Sequence, residues 1–214
     1  MIMPMKQYKV YLFDFDGTLF DTLPSSIYVF KEAFKEKGIT LNDDDVLGYT
    51  RVPIPETYRK IVPNYKEEDI IPFLNLITKL VCSKESNKLI SIYGDTYETI
   101  LDLKMSEATL GIVTSNNEHH VNDVLKLFDM DFGLFDVIVG NEAEKEPKPS
   151  PKPILAAIKA FRETFSKEEI VYVGDAINDV LAAENAGIDA ILLDRNNEYS
   201  KEKYQIINSL SELL

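Results

Sequence analysis

Five short apolar segments, with helical patterns between most of them, constrain how this chain of 214 residues can fold. They cover residues 9–13, 109–113, 135–139, 170–173 and 190–193. Their β-branched and aromatic residues favour buried strands. The last four segments alternate with amphipathic patterns, one of them formed by Val121, Val124, Leu125 and Phe128. Such alternation predicts parallel strands joined by crossover helices, and therefore an α/β fold whose open sheet binds ligands at the carboxyl ends of its strands.

A long interval between the first two predicted strands consists mostly of helical patterns. One helix is expected to begin at Leu23-Pro24, because proline suits a first turn, and to close at Gly38. Further helices are expected over about residues 55–62, 67–88 and 94–105, with Pro72 leaving the middle one open. We therefore predict a core of residues 1–21 and 91–214 and an inserted helical domain of residues 22–90.

Composition narrows the class of protein. With 45% hydrophobic and 28% charged residues, the chain has enough apolar material for a full core. No stretch approaches the roughly 20 apolar residues of a membrane span, and the first residues are too quickly polar for a secretory signal, so we expect a cytoplasmic protein. The net charge of -13 argues against nucleic acid or an anionic membrane as partner. Cys82, the single cysteine, is expected to be a small buried apolar residue.

The segment Asp14-Phe15-Asp16-Gly17-Thr18, at the end of the first predicted strand, is the first candidate site. Two carboxylates one residue apart bring like charges together, which a cation, a proton or a role in phosphoryl transfer would offset. A calcium loop of the EF-hand type needs glycine at its sixth position, whereas here the glycine is the fourth residue. A solvated acidic turn without function stays open on these residues alone.

Polar groups also follow the second predicted strand. Hydroxyl and amide donors at Thr114-Ser115-Asn116 suit an anion at the start of a helix. The same residue types are preferred helix N-caps, so a capping role stays equally open.

The third and fourth predicted strands are followed by two more candidates. Lys148 lies in the frame Lys148-Pro149-Ser150-Pro151, whose prolines fix the direction of the chain before a helix, although a charged linker is the simpler interpretation. Gly174-Asp175 ends the fourth strand, and Asp179 follows where it could cap the next helix or complete a magnesium site of oxygen ligands. Together the four strand ends supply the groups that phosphoryl transfer requires.

These four segments, in this order, resemble the motifs of the haloacid dehalogenase superfamily, in particular its branch of phosphoglycolate phosphatases and β-phosphoglucomutases. The resemblance implies a Rossmann-like core and makes the inserted domain similar to that family's helical cap. It implies a phosphatase that acts on a small phosphorylated metabolite. Gly17-Thr18 and Gly174-Asp175 are similar to the phosphatase form of the motifs rather than to the mutase form. A phosphomutase, or a non-catalytic phosphate- or metal-binding protein on the same fold, is the alternative.

The resemblance also implies roles for individual residues. Asp14 is implied as the nucleophile that forms an aspartyl phosphate, and Asp16 as the acid and base. Lys148 is implied to balance charge at the phosphoryl group. Magnesium is implied on Asp14, Asp175 and the backbone carbonyl of Asp16, with Asp179 orienting Lys148 or a metal-bound water.

Phosphate and substrate recognition complete these expectations. Residues implied to hold the phosphate, besides Lys148, are Gly17, Thr18, Thr114, Ser115 and Asn116. Arg51, in a turn-like segment of the inserted domain, is our candidate for pairing with an anionic substrate, although a surface arginine is the simpler interpretation. His119 and His120 are adjacent at an expected helix start, and solvent exposure is expected for both rather than a metal site.

Overall fold

The computed structural model describes residues 6–49, 52–130, 132–143, 146–199 and 203–214. Its strands are β1 (Val10–Phe13), β2 (Phe20–Asp21), β3 (Ser91–Ile92), β4 (Thr109–Val113), β5 (Val137–Val139), β6 (Ile170–Gly174), β7 (Asp189–Leu193) and β8 (Ile206–Ile207). Its α-helices are α1 (Leu23–Lys35), α2 (Asp43–Leu47), α3 (Ile54–Ile61), α4 (Ile70–Val81), α5 (Lys84–Asn87), α6 (Thr96–Met105), α7 (Glu118–Leu127), α8 (Lys152–Ala160) and α9 (Ile177–Ala186). No helix among these residues is long and apolar enough to cross a membrane.

Six strands form one parallel sheet in the order β5-β4-β1-β6-β7-β8. The chain runs outward from β1 through β4 to β5, returns to the other side of β1 as β6, and then continues to β7 and β8. This reversal places a topological switch point beside β1, where open α/β sheets bind ligands. Phe13 is level with Ile112 of β4 and Val173 of β6, so the residues that follow these three strands emerge side by side. The predicted α/β class and parallel sheet are confirmed.

The central strands β1 and β6 are covered on both faces, as is usual for the strands of a parallel sheet. Every residue of β1 and β6 is buried. One cluster joins strand residues to helix residues and includes Leu12, Val113, Ile154, Phe161, Tyr172 and Ala183. The strands at the switch point are therefore held on all sides, which gives the site a rigid base.

Residues 22–91 form a second compact unit, separate from the unit made of residues up to Asp21 and residues 92–214. Its core contains Phe34, Tyr58 and Phe73, with ring centroids 4.9 Å apart for Phe34–Phe73 and 4.6 Å for Tyr58–Phe73. Fully burying an aromatic or large aliphatic side chain stabilises a fold by about 1.5–3 kcal/mol. The unit therefore has a hydrophobic core of its own.

Three local expectations were wrong or incomplete. The predicted helix over residues 67–88 is divided into a 3-10 turn, α4 and α5, and Pro72 lies in the first turn of α4, where its missing N–H costs nothing. Cys82 is exposed rather than buried, because it follows the last residue of α4 and falls outside the buried stripe of Ile70, Phe73 and Ile77. The short edge strand β8 was not predicted.

Candidate active site

Lys148 is the centre of the cluster at the switch point. Its Nζ donates to Asp14 Oδ1 at 2.7 Å, to Asp179 Oδ1 at 2.6 Å and to Tyr172 Oη at 3.0 Å. These side chains come from the loop before α8, the end of β1, the first turn of α9 and the middle of β6. The side chains of Lys148, Asp14 and Asp179 are only 9%, 9% and 3% exposed, so these ion pairs are shielded from water.

Asp179 also explains how the chain turns after β6. Its Oδ2 accepts the backbone N–H of Ala176 at 3.0 Å, which satisfies a donor at the start of α9 while Oδ1 accepts from Lys148. The capping role and the role toward Lys148, left open above, are thus filled by the two oxygens of one carboxylate. A Cβ at Gly174 would overlap Asp179, so glycine is required there.

Gly17 has a comparable requirement. Its φ of +75° lies in the left-handed region, and a Cβ would come within 2.7 Å of Asp175 Oδ2. Gly17 N donates to Phe20 O at 2.8 Å, which closes the turn between β1 and β2. Glycine therefore lets the loop that carries Asp16 approach the Asp175 carboxylate.

Asp16 is bonded to the end of β4 rather than to Lys148. Asn116 Nδ2 donates to Asp16 Oδ2 at 2.8 Å, and Thr114 Oγ1 donates to the same oxygen at 3.4 Å. Thr114 Oγ1 also accepts the backbone N–H of Asn116 at 3.1 Å. The capping residue of α7 is Asn117, whose side chain accepts His120 N–H. Asn116, expected at the phosphate, therefore has its side-chain amide on Asp16.

The other residues expected at the phosphate differ in exposure. Ser115 is exposed, and its carbonyl accepts from Asn141 Nδ2 at 3.0 Å. The hydroxyl of Thr18 is buried and has no hydrogen-bond partner in the described part of the chain. Arg51 lies outside the described residues.

The charge balance of the cluster is negative. Burial raises the pKa of Asp14 well above its usual value, and although Lys148 opposes this, Asp179, Asp175 and Asp16 raise the pKa further. Burial lowers the pKa of Lys148, but Asp14 and Asp179 outweigh it and hold the pKa above its usual value. Asp14 and Lys148 therefore both tend to keep their protons, Asp14 because it is buried among other carboxylates and Lys148 because two carboxylates face its ammonium group.

The carboxylates fit a hard divalent cation. Oxygen atoms of Asp14, Asp175 and Asp179 all lie within 4.8 Å of one another. Carboxylate oxygens are the ligands that Mg²⁺ and Ca²⁺ prefer, and a divalent cation would offset the excess negative charge. Asp16 is expected at the metal through its backbone carbonyl, and its side chain is directed to Asn116 and Thr114 instead.

His120 shows where the expectation of exposure was wrong. His119 is exposed and lies 3.4 Å from Asp123, but His120 is buried, only 2% exposed. His120 and Val124 are four residues apart and therefore share one face of α7. That spacing was a readable signal, because Val124 had already been assigned to the apolar face.

Arg195, which follows β7, makes contacts that the sequence did not indicate. Its two terminal nitrogens donate to the two oxygens of Asp95 at 2.9 and 3.0 Å, and one also donates to Thr18 O at 3.0 Å. The guanidinium lies 3.8 Å from the centroid of the Tyr93 ring. Arg195 thus holds the end of the loop that carries Asp16 and Gly17.

The fold is thus a parallel α/β sheet with a cluster of aspartates and one lysine at its switch point. The model of the family described as haloacid dehalogenase-like hydrolase matches residues 11–193, and the chain belongs to this family. The family and the hydrolase class expected from the motifs are thereby confirmed.

Individual relatives agree with this family. The pyrophosphatase PpaX of Bacillus velezensis is 32% identical over 184 residues, which are 85% of this chain and 81% of the relative. The phosphoglycolate phosphatase of Colwellia psychrerythraea is 27% identical over 207 residues, covering 94% and 90% of the two chains. A haloacid dehalogenase-like hydrolase from Bacteroides fragilis superposes with a TM-score of 0.85 at 25% identity, covering 97% of this chain and 100% of the other.

Proposed function

We propose that this protein is a magnesium-dependent phosphatase that hydrolyses a small phosphorylated metabolite through an aspartyl phosphate on Asp14. The observation that carries the proposal is the cluster at the switch point: a buried Lys148 bonded to Asp14 on one side and Asp179 on the other. Asp16 lies two residues after Asp14 and makes its own hydrogen bonds. Relatives named as a pyrophosphatase and a phosphoglycolate phosphatase support phosphate release as the reaction.

In the first step, an Asp14 carboxylate oxygen attacks phosphorus in line with the leaving oxygen. The new bond joins Asp14 to phosphorus, the ester bond breaks, and Asp16 donates its proton to the leaving oxygen. Lys148, already hydrogen-bonded to the nucleophile, lies where it can offset the negative charge of the phosphoryl group.

In the second step, Asp16 accepts a proton from water while the water oxygen bonds to phosphorus. The bond to Asp14 then breaks, inorganic phosphate leaves, and both carboxylates return to their starting states. Asn116 and Thr114 both donate to Asp16 Oδ2, and these hydrogen bonds orient the carboxyl group that we assign to proton transfer.

Asp14, Asp175 and the backbone carbonyl of Asp16 would hold the magnesium ion. When bound, the ion supplies positive charge that draws the phosphate close to an otherwise repulsive carboxylate. Asp179 bonds both Lys148 and the start of α9, so we assign it to orienting Lys148.

Residues 22–90 are the proposed cap domain, which determines which phosphate ester is hydrolysed. The strand-end residues contact only the phosphoryl group and the metal in this scheme, so they do not distinguish one ester from another. The helical insertion has its own hydrophobic core and can differ between relatives without altering the sheet. The relatives' two names point to substrates with a small leaving group, such as inorganic pyrophosphate or phosphoglycolate.

The test is phosphate release from p-nitrophenyl phosphate, inorganic pyrophosphate, phosphoglycolate and glucose 1-phosphate, with magnesium and with EDTA. We expect hydrolysis with magnesium, none with EDTA, and poor support by calcium, whose looser coordination misplaces the attacking oxygen. Folded protein that releases phosphate from none of a broad metabolite panel would refute the phosphatase proposal. Undiminished activity in EDTA would refute the magnesium requirement, and conversion of glucose 1-phosphate to glucose 6-phosphate would favour the mutase alternative.

A further inference from the structure

Tyr172 is a fully buried tyrosine in the middle of β6 whose hydroxyl lies beneath the candidate site. Its Oη accepts a hydrogen bond from Lys148 Nζ at 3.0 Å and donates one to Val113 O at 2.7 Å. Val113 is the last residue of β4 and directly precedes Thr114. One hydroxyl therefore joins the lysine to the strand that carries the Thr114 loop.

The hydrogen-bond inventory of Lys148 makes this contact significant. A lysine ammonium has three donors and no acceptor. Asp14, Asp179 and Tyr172 accept one each, so all three donors are used and the ammonium has one orientation. Two of the acceptors are carboxylates, and the third is neutral, which completes the coordination of the ammonium without adding negative charge.

The direction of each hydrogen bond at Tyr172 is also determined. The hydroxyl has a single proton, and the ammonium can only donate to it, so the proton must point to Val113 O. Burial raises the pKa of the hydroxyl well above its usual value, so the proton stays in place at neutral pH. The hydroxyl is thereby held between a fixed strand carbonyl and the lysine.

We propose that Tyr172 is a positioning residue that holds the Lys148 ammonium against the nucleophile Asp14. The proposal rests on the proposed function, because it assigns to Lys148 the charge at the phosphoryl group. Without the hydroxyl, one ammonium donor and the Val113 carbonyl lose their partner in a buried place, and the lysine can move toward Asp179. The contact thus acts on the chemical step and not on substrate binding.

The chain supplies a matched control in Tyr11, a tyrosine of the neighbouring strand β1 that is 1% exposed. Its hydroxyl lies at the other end of the sheet, where it accepts Tyr8 N–H at 3.1 Å and donates to Gln7 Oε1 at 3.4 Å. Tyr172→Phe and Tyr11→Phe therefore remove the same atom from two similarly buried strand positions, and only one of them faces Lys148.

The first measurement is steady-state hydrolysis of p-nitrophenyl phosphate with magnesium. Since hydrogen bonds to charged groups are worth about 1.5–3 kcal/mol, we expect Tyr172→Phe to lower kcat by about 10- to 100-fold with little change in KM. Tyr11→Phe is expected to keep the wild-type kcat. A Tyr172→Phe enzyme with wild-type kcat, or one whose loss lies only in KM, would overturn the proposal.

A second measurement separates positioning of Lys148 from a general structural role. Tyr172→Phe is combined with Lys148→Met, and the unfolding free energies of the four proteins are measured in denaturant without magnesium. If Tyr172 acts through Lys148, the two substitutions are non-additive, because the second removes a contact already lost. Additive effects would overturn the proposal. This cycle needs no turnover, so it still decides the contact if wild-type protein proves to have no phosphatase activity, the result that would refute the proposed function instead.

Discussion

Lys148→Met is the most informative single substitution, because it removes the charge at the centre of the site and nearly keeps the length of the side chain. The variant leaves Asp14 and Asp179 buried without their ammonium partner, since these side chains are only 9% and 3% exposed. Removing one partner of a buried ion pair costs about 3–5 kcal/mol. Proton uptake by Asp14, whose pKa is already raised, relieves part of this, so we expect a loss near 3 kcal/mol at pH 7.

The control is Lys152→Met, four residues further along the same proline-rich segment. Lys152 pairs with Glu146 at the surface, with both side chains at least half exposed, so its loss should change stability very little. Two assays apply to both variants: denaturant unfolding without magnesium, and kcat on p-nitrophenyl phosphate with magnesium. For Lys148→Met we expect kcat to fall by about 100-fold or more, as when one charge-stabilising group is removed from an active site.

The stability difference should also depend on pH with a definite sign. In Lys148→Met, Asp14 binds a proton more readily in the folded than in the unfolded protein, because burial and the neighbouring carboxylates raise its pKa, so the variant gains relative stability as the pH falls from 7 toward 4. The difference in unfolding free energy between the variant and the wild-type protein should therefore become smaller as the pH falls. A gap that stays constant with pH, or a large effect of Lys152→Met on kcat, would refute the assignment of the charge to Lys148.

Three further substitutions test other parts of the structure. Asp14→Asn should abolish turnover yet raise the melting temperature of magnesium-free protein, because it removes a buried carboxylate whose pKa is raised; retained turnover would count against it. Asp95→Asn should cost about 2 kcal/mol at pH 7. Burial raises the pKa of Asp95, but its hydrogen bonds from Arg195, Ser209 and Leu210 N–H outweigh burial and hold the pKa below its usual value, so the cost should persist down to about pH 4 and be lost only as the pH falls through the lowered pKa; a pH-independent cost would contradict this. Arg51→Ala should raise KM for an anionic metabolite but spare p-nitrophenyl phosphate, unlike the control Arg59→Ala, which only breaks an exposed pair with Glu67.

The sheet could be predicted because each of its longer strands is recognisable from a short stretch of sequence. Each of the five predicted strands is a run of apolar residues, and each was found within two residues of its expected ends. The edge strand β8 contains only Ile206 and Ile207 and pairs with β7, so it is too short to give a recognisable pattern in the sequence. Strand ends bearing Asp14, Thr114 and Asp175 followed from the sheet, since parallel neighbours end together.

Contacts made through the middle of the sheet could not be predicted in this way. Tyr172 lies within a wholly buried strand, so its pattern indicates only burial, and its bonds to Lys148 and Val113 depend on register. Arg195 reaches Thr18 across 177 residues of sequence, a distance over which no periodic pattern operates. His120 differs from these, because its four-residue spacing from Val124 did carry the information.

The nucleophile itself can be identified directly. Wild-type protein is mixed with magnesium and a substrate that it hydrolyses, quenched rapidly in acid, reduced with borohydride and analysed by peptide mass spectrometry. Reduction converts an aspartyl phosphate to homoserine, so the account predicts homoserine at Asp14, absent from samples without substrate and from Asp14→Asn. Homoserine at Asp16 or Asp175 instead, or full turnover by Asp14→Asn, would contradict the account.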